Sequence, residues 1–359
     1  MPIGYWWTVA LISWGVACAL TRWWRLGSFS AIPALLASEL PFIVGYLLIG
    51  STVLALVDGD LGSPGGGAAA AVALLALAGL VVVVWRAMRA HAALHNAGRP
   101  RRPWGRILRA PFFPGRRDVA RVRDLPYGDG PRRTLDVYHR RDRPASAPVL
   151  LHFHGGGFYS GNKAREARPL IRHLTSRCGF VCVSANYRLQ PHVTLADQVA
   201  DVRDAIAWVR AHAAEYGAEP GMLFVTGSSA GANLAIQAVC DGETGIAGLI
   251  CRYGYYGNLA PRGDMPPMLV VHGEKDMMIP VSDVRAFVER VRAVSSRPVL
   301  YAELPGGYHD FDLYESIRSA AVNQAVEQFT AKVADRRDQG VYRPGPDEAP
   351  GSCAGEPRA

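Results

Sequence analysis

The sequence lacks the spacings that mark metal or disulfide chemistry. Its six cysteines, Cys18, Cys178, Cys182, Cys240, Cys251 and Cys353, form no CxxC pair and no His/Cys zinc pattern. They read as reduced structural thiols in a reducing compartment, and no metal is expected. No G-x-x-x-x-G-K-[ST] stretch is present, which removes a P-loop nucleotide site. No basic residue precedes the first apolar run, and Gly15-Val-Ala-Cys18 lacks the leucine of a lipobox, so a cleaved leader is not expected. Acids are almost missing from one stretch: between Arg86 and Arg123 eleven arginines face a single acid, Asp118. That stretch carries +10 in a chain whose net charge is +8, which leaves −2 for the remainder. The basicity is local, so it argues for anionic lipid headgroups and against a nucleic-acid partner.

What is present at the N-terminus is apolar. Stretches 2–20, 40–57 and 68–85 each hold about 18 residues, enough for a helix of about 27 Å, near the lower limit for crossing a bilayer. Trp6, Trp7, Trp23, Trp24 and Trp85 stand at their ends, where indole rings favour the headgroup layer. Arg22 and Arg25 follow the first stretch, Asp58 and Asp60 the second, and the arginine run begins at the end of the third. The positive-inside rule then puts the first loop and everything after Trp85 in the cytoplasm, with the N-terminus and loop 58–67 outside. The expectation is a three-helix, multi-pass region over 1–85, with Glu39 and Pro41 at an interfacial position. Segment 86–118 interleaves Trp104, Ile107, Leu108, Phe112 and Phe113 with its arginines and is broken by Pro103, Pro111 and Pro114. Such a pattern can stack on single-stranded nucleic acid, but beside a membrane helix it is expected to lie on the lipid surface.

From Val119 the character changes. Strands are expected at 119–125, 134–139, 149–153, 180–185, 222–226, 248–253, 268–271 and 300–304, and helices at 164–177, 195–216, 231–240, 282–294 and 315–334. The alternation predicts an α/β domain over 119–335, an eight-stranded, mostly parallel sheet flanked by helices. The first two strands, joined through Gly128-Asp-Gly130, should form an antiparallel hairpin. Segment 336–359, rich in proline and glycine, reads as disordered.

Candidate chemistry centres on Gly227-Ser-Ser-Ala-Gly231, a G-x-S-x-G pattern between an expected strand and an expected helix. Ser229 would sit on a strained turn whose glycines remove colliding Cβ atoms. A hydroxyl is a poor nucleophile until a base takes its proton and a third group orients that base. His309, in Gly306-Gly-Tyr-His-Asp-Phe311, follows the last expected strand, and Asp276, in His272-Gly-Glu-Lys-Asp276, follows the seventh. Glu274 and Asp283 remain alternative acids, and His152, His192 and His272 alternative bases. After the third strand, His154-Gly-Gly-Gly157 offers backbone amides that can converge on one point.

Together with Asn186-Tyr-Arg-Leu-Gln-Pro191 and Gly227-Ser-Ser-Ala-Gly-Ala-Asn233, these motifs are similar to those of the hormone-sensitive-lipase-like carboxylesterases of the α/β-hydrolase fold. The apolar spans and Ser38-Glu-Leu-Pro41 resemble those of membrane-anchored bacterial esterase/lipases within that family. The resemblance runs over about residues 35 to 335. It implies hydrolysis of small-molecule or lipid carboxylic esters through a seryl acyl-enzyme, with no cofactor. In that reading Ser229, His309 and Asp276 form the triad, and the amides of Gly156, Gly157 and Ala230 form the oxyanion hole. His154, Gly155, Phe158, Tyr159, Tyr253 and Tyr255 would then contact substrate, with Tyr256 also near the mouth. An arylformamidase-like amidase, an acyltransferase, or a non-catalytic binding protein on the same scaffold are the alternatives. Two departures stand out. The residue before the nucleophile, usually acidic in the family, is Ser228. Only about a dozen residues separate the sixth and seventh strands, so the cap is reduced, and the arginine-aromatic segment or the bilayer would roof the acyl pocket.

Overall fold

The computed structural model describes residues 3–21, 28–94, 98–109, 111–112, 116–143 and 145–339. Arg22, Trp23, Trp24, Arg25, Phe113, Pro114, Cys353 and segment 340–359, on which parts of the sequence reading rest, lie outside them.

Among the described residues, six α-helices precede the sheet: α1 (Ile3–Leu20), α2 (Ser28–Glu39), α3 (Pro41–Val57), α4 (Pro64–Met88), α5 (Ala90–Ala93) and α6 (Trp104–Arg109). Helices α1 and α4 turn large apolar side chains outward, among them Trp7, Leu11, Leu75 and Val81. The small residues Ala69, Ala73 and Ala76 of α4 pack inward with Val9 of α1 and Leu48 of α3. An apolar exterior over a small-residue interior is how helices associate in lipid, where close backbone approach replaces the hydrophobic effect. By length and composition α1 and the α4–α5 stretch are apolar enough to cross a membrane. The middle stretch expected at 40–57 forms α3. Helix α3 has 17 residues and meets the 12-residue α2, which the sequence reading did not anticipate, at an angle of 93°. Leu40 forms the joint because Pro41 opens α3, and a proline disfavours helical geometry in the residue before it.

The catalytic-type domain follows the expected order: β1 (Val119–Pro126), β2 (Thr134–Arg140), β3 (Ala147–Phe153), α7 (Arg168–Cys178), β4 (Val181–Ala185), α8 (Leu195–His212), β5 (Ala218–Ser228), α9 (Ala230–Cys240), β6 (Gly248–Arg252), β7 (Met268–Gly273), α10 (Val281–Val294), β8 (Val299–Leu304) and α11 (Ile317–Asp338). The sheet order is β1-β2-β4-β3-β5-β6-β7-β8; β1 and β2 pair antiparallel, as do β2 and β4, and the rest pair parallel. Helix α11 continues past the boundary expected at 335.

Strand side chains alternate between two cores. Val149, Leu151 and Phe153 of β3, with Met268 and Val270 of β7, meet α8, α9 and α10 on one face. Leu150, Leu269 and Val271 meet α7 and α11 on the other. Burial on both faces makes β3 to β7 continuous apolar runs, and it stacks their C-terminal ends along one edge. That edge is where turns can bring distant side chains together.

The N-terminal helices are not a separate body. Ala87 of α4 and Ile107 of α6 pack with Ile317 and Ala320 of α11. At the Leu40 joint, Arg318 of α11 donates to Glu39 Oε1 at 2.9 Å and to the Ser38 carbonyl at 3.0 Å. Both ion-pair side chains are buried, and removing one partner of such a pair strands a charge at a cost of about 3–5 kcal/mol. Arg318→Met is therefore expected to lower the unfolding midpoint in detergent by roughly 5–15 °C, and Arg318→Met with Glu39→Gln to recover part of it. Equal stability of Arg318→Met and wild type by thermal melt would contradict this.

Candidate active site

Strand β5 ends in Ser228, and the chain reverses through Ser229 at φ +50° and ψ −118° before α9 begins. A non-glycine residue at positive φ is strained, and the surroundings hold it there. Ser229 N donates to the Arg252 carbonyl of β6 at 3.0 Å, while the Ser229 carbonyl accepts from Ala232 N. The flanking glycines answer to close packing: a Cβ on Gly227 would stand 2.3 Å from the Gly231 carbonyl carbon, and one on Gly231 would stand 2.2 Å from the Phe153 oxygen.

The three side chains singled out from sequence converge. His309 Nε2 lies 3.0 Å from Ser229 Oγ, and His309 Nδ1 lies 2.7 Å from Asp276 Oδ2. The Asp276 side chain is fully enclosed, and its other oxygen accepts the amides of Met278 and Ile279, both at 2.9 Å. One oxygen is thus left to orient the imidazole. Burial works against a charged His309, but the hydrogen bond and charge of Asp276 outweigh it, with smaller help from Asp310 and Glu166, and the ring's pKa is raised above 6.5. Of the alternative acids, Glu274 is used by Gly306 N at 2.8 Å, and Asp283 takes the Ser282 hydroxyl at the start of α10. Of the alternative bases, His152 contacts Ser184 Oγ in the sheet, His272 contacts the Ile279 carbonyl at 3.0 Å, and His192 is exposed.

Above Ser229 runs the glycine loop. Gly156, Gly157 and Phe158 take positive φ in succession, and a Cβ on Gly156 would overlap the Ser160 carbonyl at 2.1 Å. Successive amides in such a bend form an anion-binding concavity. Among the described residues, the amides of Gly156, Gly157 and Ala230 donate to no protein acceptor. Ala230 opens α9, so its N–H also carries the positive end of that helix's dipole.

Other expected contact residues are placed differently. His154 is fully buried, stacks on Tyr187 at 4.4 Å between ring centres, and bonds the Gly155 carbonyl; burial holds its pKa down at about 4. Gly155 is buried too and donates its amide to Glu166 Oε2 at 2.6 Å. Both brace the loop from beneath, since neither presents a free polar group outward. Tyr253 is fully buried, its ring edge against His309 at 4.7 Å and its hydroxyl on Asp312, and Tyr256 stacks on Phe287. Phe158, half-buried, and Tyr159 and Tyr255, exposed, remain at the surface.

The sequence reading missed the polar layer under the site. Arg252, opposite Ser228 in the β5–β6 register, is wholly buried and pairs with Asp312, so its carboxylate comes from the loop after His309 and not from position 228. Glu166, also buried, has its pKa raised by that burial against the opposing pull of the Gly155 amide. No local signal singles out either acid, because each acquires its role only through the fold. Away from the triad, His173, Cys178 and Glu327 approach within 4.8 Å. Glu327 is already shared by Arg101 and His173, both at 2.7 Å, and burial pushes the Cys178 thiol up to about 12. A thiol that resists ionisation beside arginine makes this an ion-pair node and not a cation site.

A sequence profile described as the α/β-hydrolase fold matches residues 150–260. Among curated proteins, the probable carboxylic ester hydrolase LipM of Mycobacterium tuberculosis is 35% identical over 282 residues, covering 64% of this chain and 65% of its own. Esterase LipQ of the same organism is 33% identical, covering 64% of this chain and 67% of its own, and esterase LipC is 32% identical, covering 62% and 68%. The matches thus span about two thirds of the length of these relatives. Esterase B from Lactobacillus rhamnosis superimposes with a TM-score of 0.55 at 18% identity, over 73% of this chain and 95% of that one, a likeness of fold.

If Asp276 orients His309, Asp276→Asn lowers kcat by about 10⁴-fold, whereas Asp283→Asn leaves it within a few-fold of wild type. The base must be neutral to act, so kcat/KM is expected to rise with pH through a midpoint above 6.5, and Asp276→Asn to move that midpoint down. A pH–rate profile with its midpoint unmoved by Asp276→Asn contradicts the assignment.

Proposed function

Because this chain belongs to the hormone-sensitive-lipase-like carboxylesterases of the α/β-hydrolase fold, we propose that it is a membrane-anchored serine carboxylesterase acting through Ser229, His309 and Asp276. The observation that carries the reading is the unbroken relay from Asp276 through His309 to Ser229 at 2.7 and 3.0 Å, beside three unengaged backbone amides. His309 Nε2 accepts the Ser229 proton as Oγ adds to the ester carbonyl. The developing oxyanion takes hydrogen bonds from Gly156, Gly157 and Ala230. Collapse of the adduct breaks the bond to the alkoxy group, to which His309 returns the proton, leaving an acyl-serine and a free alcohol. Water then repeats the addition with His309 as base and releases the acid. Each amide that meets the oxyanion is worth about 2.7–4 kcal/mol of barrier.

The N-terminal helices favour an ester that lives in or near a bilayer. The C-terminal end of α1, the N-terminal end of α3 and the C-terminal end of α4 all lie at the side that packs on the hydrolase domain. Three crossings with that domain on the cytoplasmic side fit this arrangement and the arginine distribution. Segment 86–118 does more than coat a surface. Arg101 pairs with Glu327, and Ile107 is buried against α11. Between this segment and α7 lies a cleft of about 450 Å³ lined by Arg101, Arg102, Arg106, Arg116, Arg172 and Arg177, with Glu315 paired to Arg106 and Arg172; the excess of positive charge suits anionic headgroups.

Ser229→Ala is expected to abolish fluorophosphonate labelling and to lower ester turnover by about 10⁴-fold or more, with the circular dichroism spectrum unchanged. Turnover near wild type would overturn the assignment of the nucleophile. A reporter fused after Ala359 should read cytoplasmic; a signal from the opposite side of the membrane contradicts the topology.

A further inference from the structure

We propose that the C-terminal end of α1 positions both the acid and the base of the triad, acting through Lys275 and Tyr308. The inference rests on the esterase reading above and adds to it a role for the membrane region inside the active site.

An α-helix leaves its last four carbonyls without partners. At the end of α1 those carbonyls are met by the hydrolase domain. Tyr308 Oη donates to the Cys18 carbonyl at 2.6 Å and stands 3.2 Å from that of Thr21. Lys275 Nζ donates to the carbonyls of Ala19 and Leu20 at 2.9 and 2.7 Å. Arg86 adds a bond to Leu20 at 3.2 Å. The ammonium of Lys275 also meets the negative end of the helix dipole, where a cation is stabilised. Lys275 and Tyr308 are both buried, so water is poorly placed to replace these bonds.

Neither donor is an arbitrary point on the domain. Lys275 precedes Asp276, and Tyr308 precedes His309. One peptide unit, about 3.8 Å between Cα atoms, separates each anchor from its triad neighbour, too short and stiff to absorb a shift. Met277, on the other side of Asp276, packs with Trp14, Cys18, Ala34, Leu35 and Tyr308. The two turns are also laced to each other: Lys275 N donates to the Gly307 carbonyl at 2.8 Å, and Gly306 N donates to Glu274 at 2.8 Å. The acid and base turns therefore move as one unit, and α1 holds that unit against the sheet edge on which Ser229 sits. Lys275 and Tyr308 touch no reacting atom; they are positioning residues.

The test uses the full chain in nanodiscs, with p-nitrophenyl butyrate as substrate and fluorophosphonate titration to count competent sites. Tyr308→Phe and Lys275→Met are expected to lower kcat by about 10- to 100-fold with KM within twofold of wild type, the scale of a misplacement of about 1 Å. Loosening the Asp276–His309 contact also moves the midpoint of the kcat/KM profile to lower pH, because burial then acts on the imidazole with less opposition. Lys275→Arg, which keeps a cationic donor of similar reach, should restore most of kcat and supplies a milder change should Lys275→Met not fold. Tyr5→Phe removes the bond to Thr52 inside the helical bundle and serves as the control, expected to leave the pH midpoint in place. Variants that melt earlier but keep wild-type kcat and pH midpoint overturn the proposal, since that is the behaviour of glue alone. A wild type without ester turnover overturns the esterase reading and this one together, whereas an active wild type with unaltered variants overturns only this one.

Discussion

The structure depends on how it disposes of backbone groups that helices cannot satisfy themselves. Two helix ends receive opposite treatment. At the start of α9 the first amide is left unengaged beside Ser229 and the glycine loop, which leaves hydrogen-bonding capacity open there. At the end of α1 the carbonyls are closed off by Tyr308, Lys275 and Arg86. The covered acceptors obey the rule that a buried polar group without a partner is expensive, and the open donors are the exception to it. The sheet makes the arrangement possible, because its parallel strands end along one edge and the turns beyond β5, β7 and β8 face one another there.

The buried polar layer under Ser229 is the second consequence. Arg252 is enclosed where the sheet would ordinarily carry an apolar side chain, and Asp312 answers it. Tyr253 joins that pair through its hydroxyl while its ring edge faces His309. An ion pair enclosed in this way resists rearrangement, since any shift leaves a buried charge alone. The imidazole thus rests on a floor that fixes its plane, while Asp276 fixes its rotation.

Much of this was legible in the chain. The central strands β3 to β7 could be read because burial on both faces makes them apolar runs, and Ser229, Asp276 and His309 were singled out because each sits in a turn after an expected strand. What escaped depends on distant partners. Helix α2 carries Pro33 and only 12 residues, and is defined by its seat against Tyr308 and Arg318. His154 stands beside the glycine loop in sequence but faces inward onto Tyr187, and Tyr253, at φ +39°, turns its ring in against His309. Nothing local marks Lys275 and Tyr308, because their partners lie more than 250 positions away.

The Glu39–Arg318 pair carries a consequence for how the protein is made. The two residues are 279 positions apart, and Glu39 emerges from the ribosome first. At about 5–20 residues per second the carboxylate waits on the order of 15–60 s for its guanidinium. Until α11 arrives, the joint at Leu40 has an acid without its cation. The seating of α2 and α3 is therefore completed only when the last helix of the α/β domain has docked, so maturation runs from the C-terminal end of the chain back to its beginning.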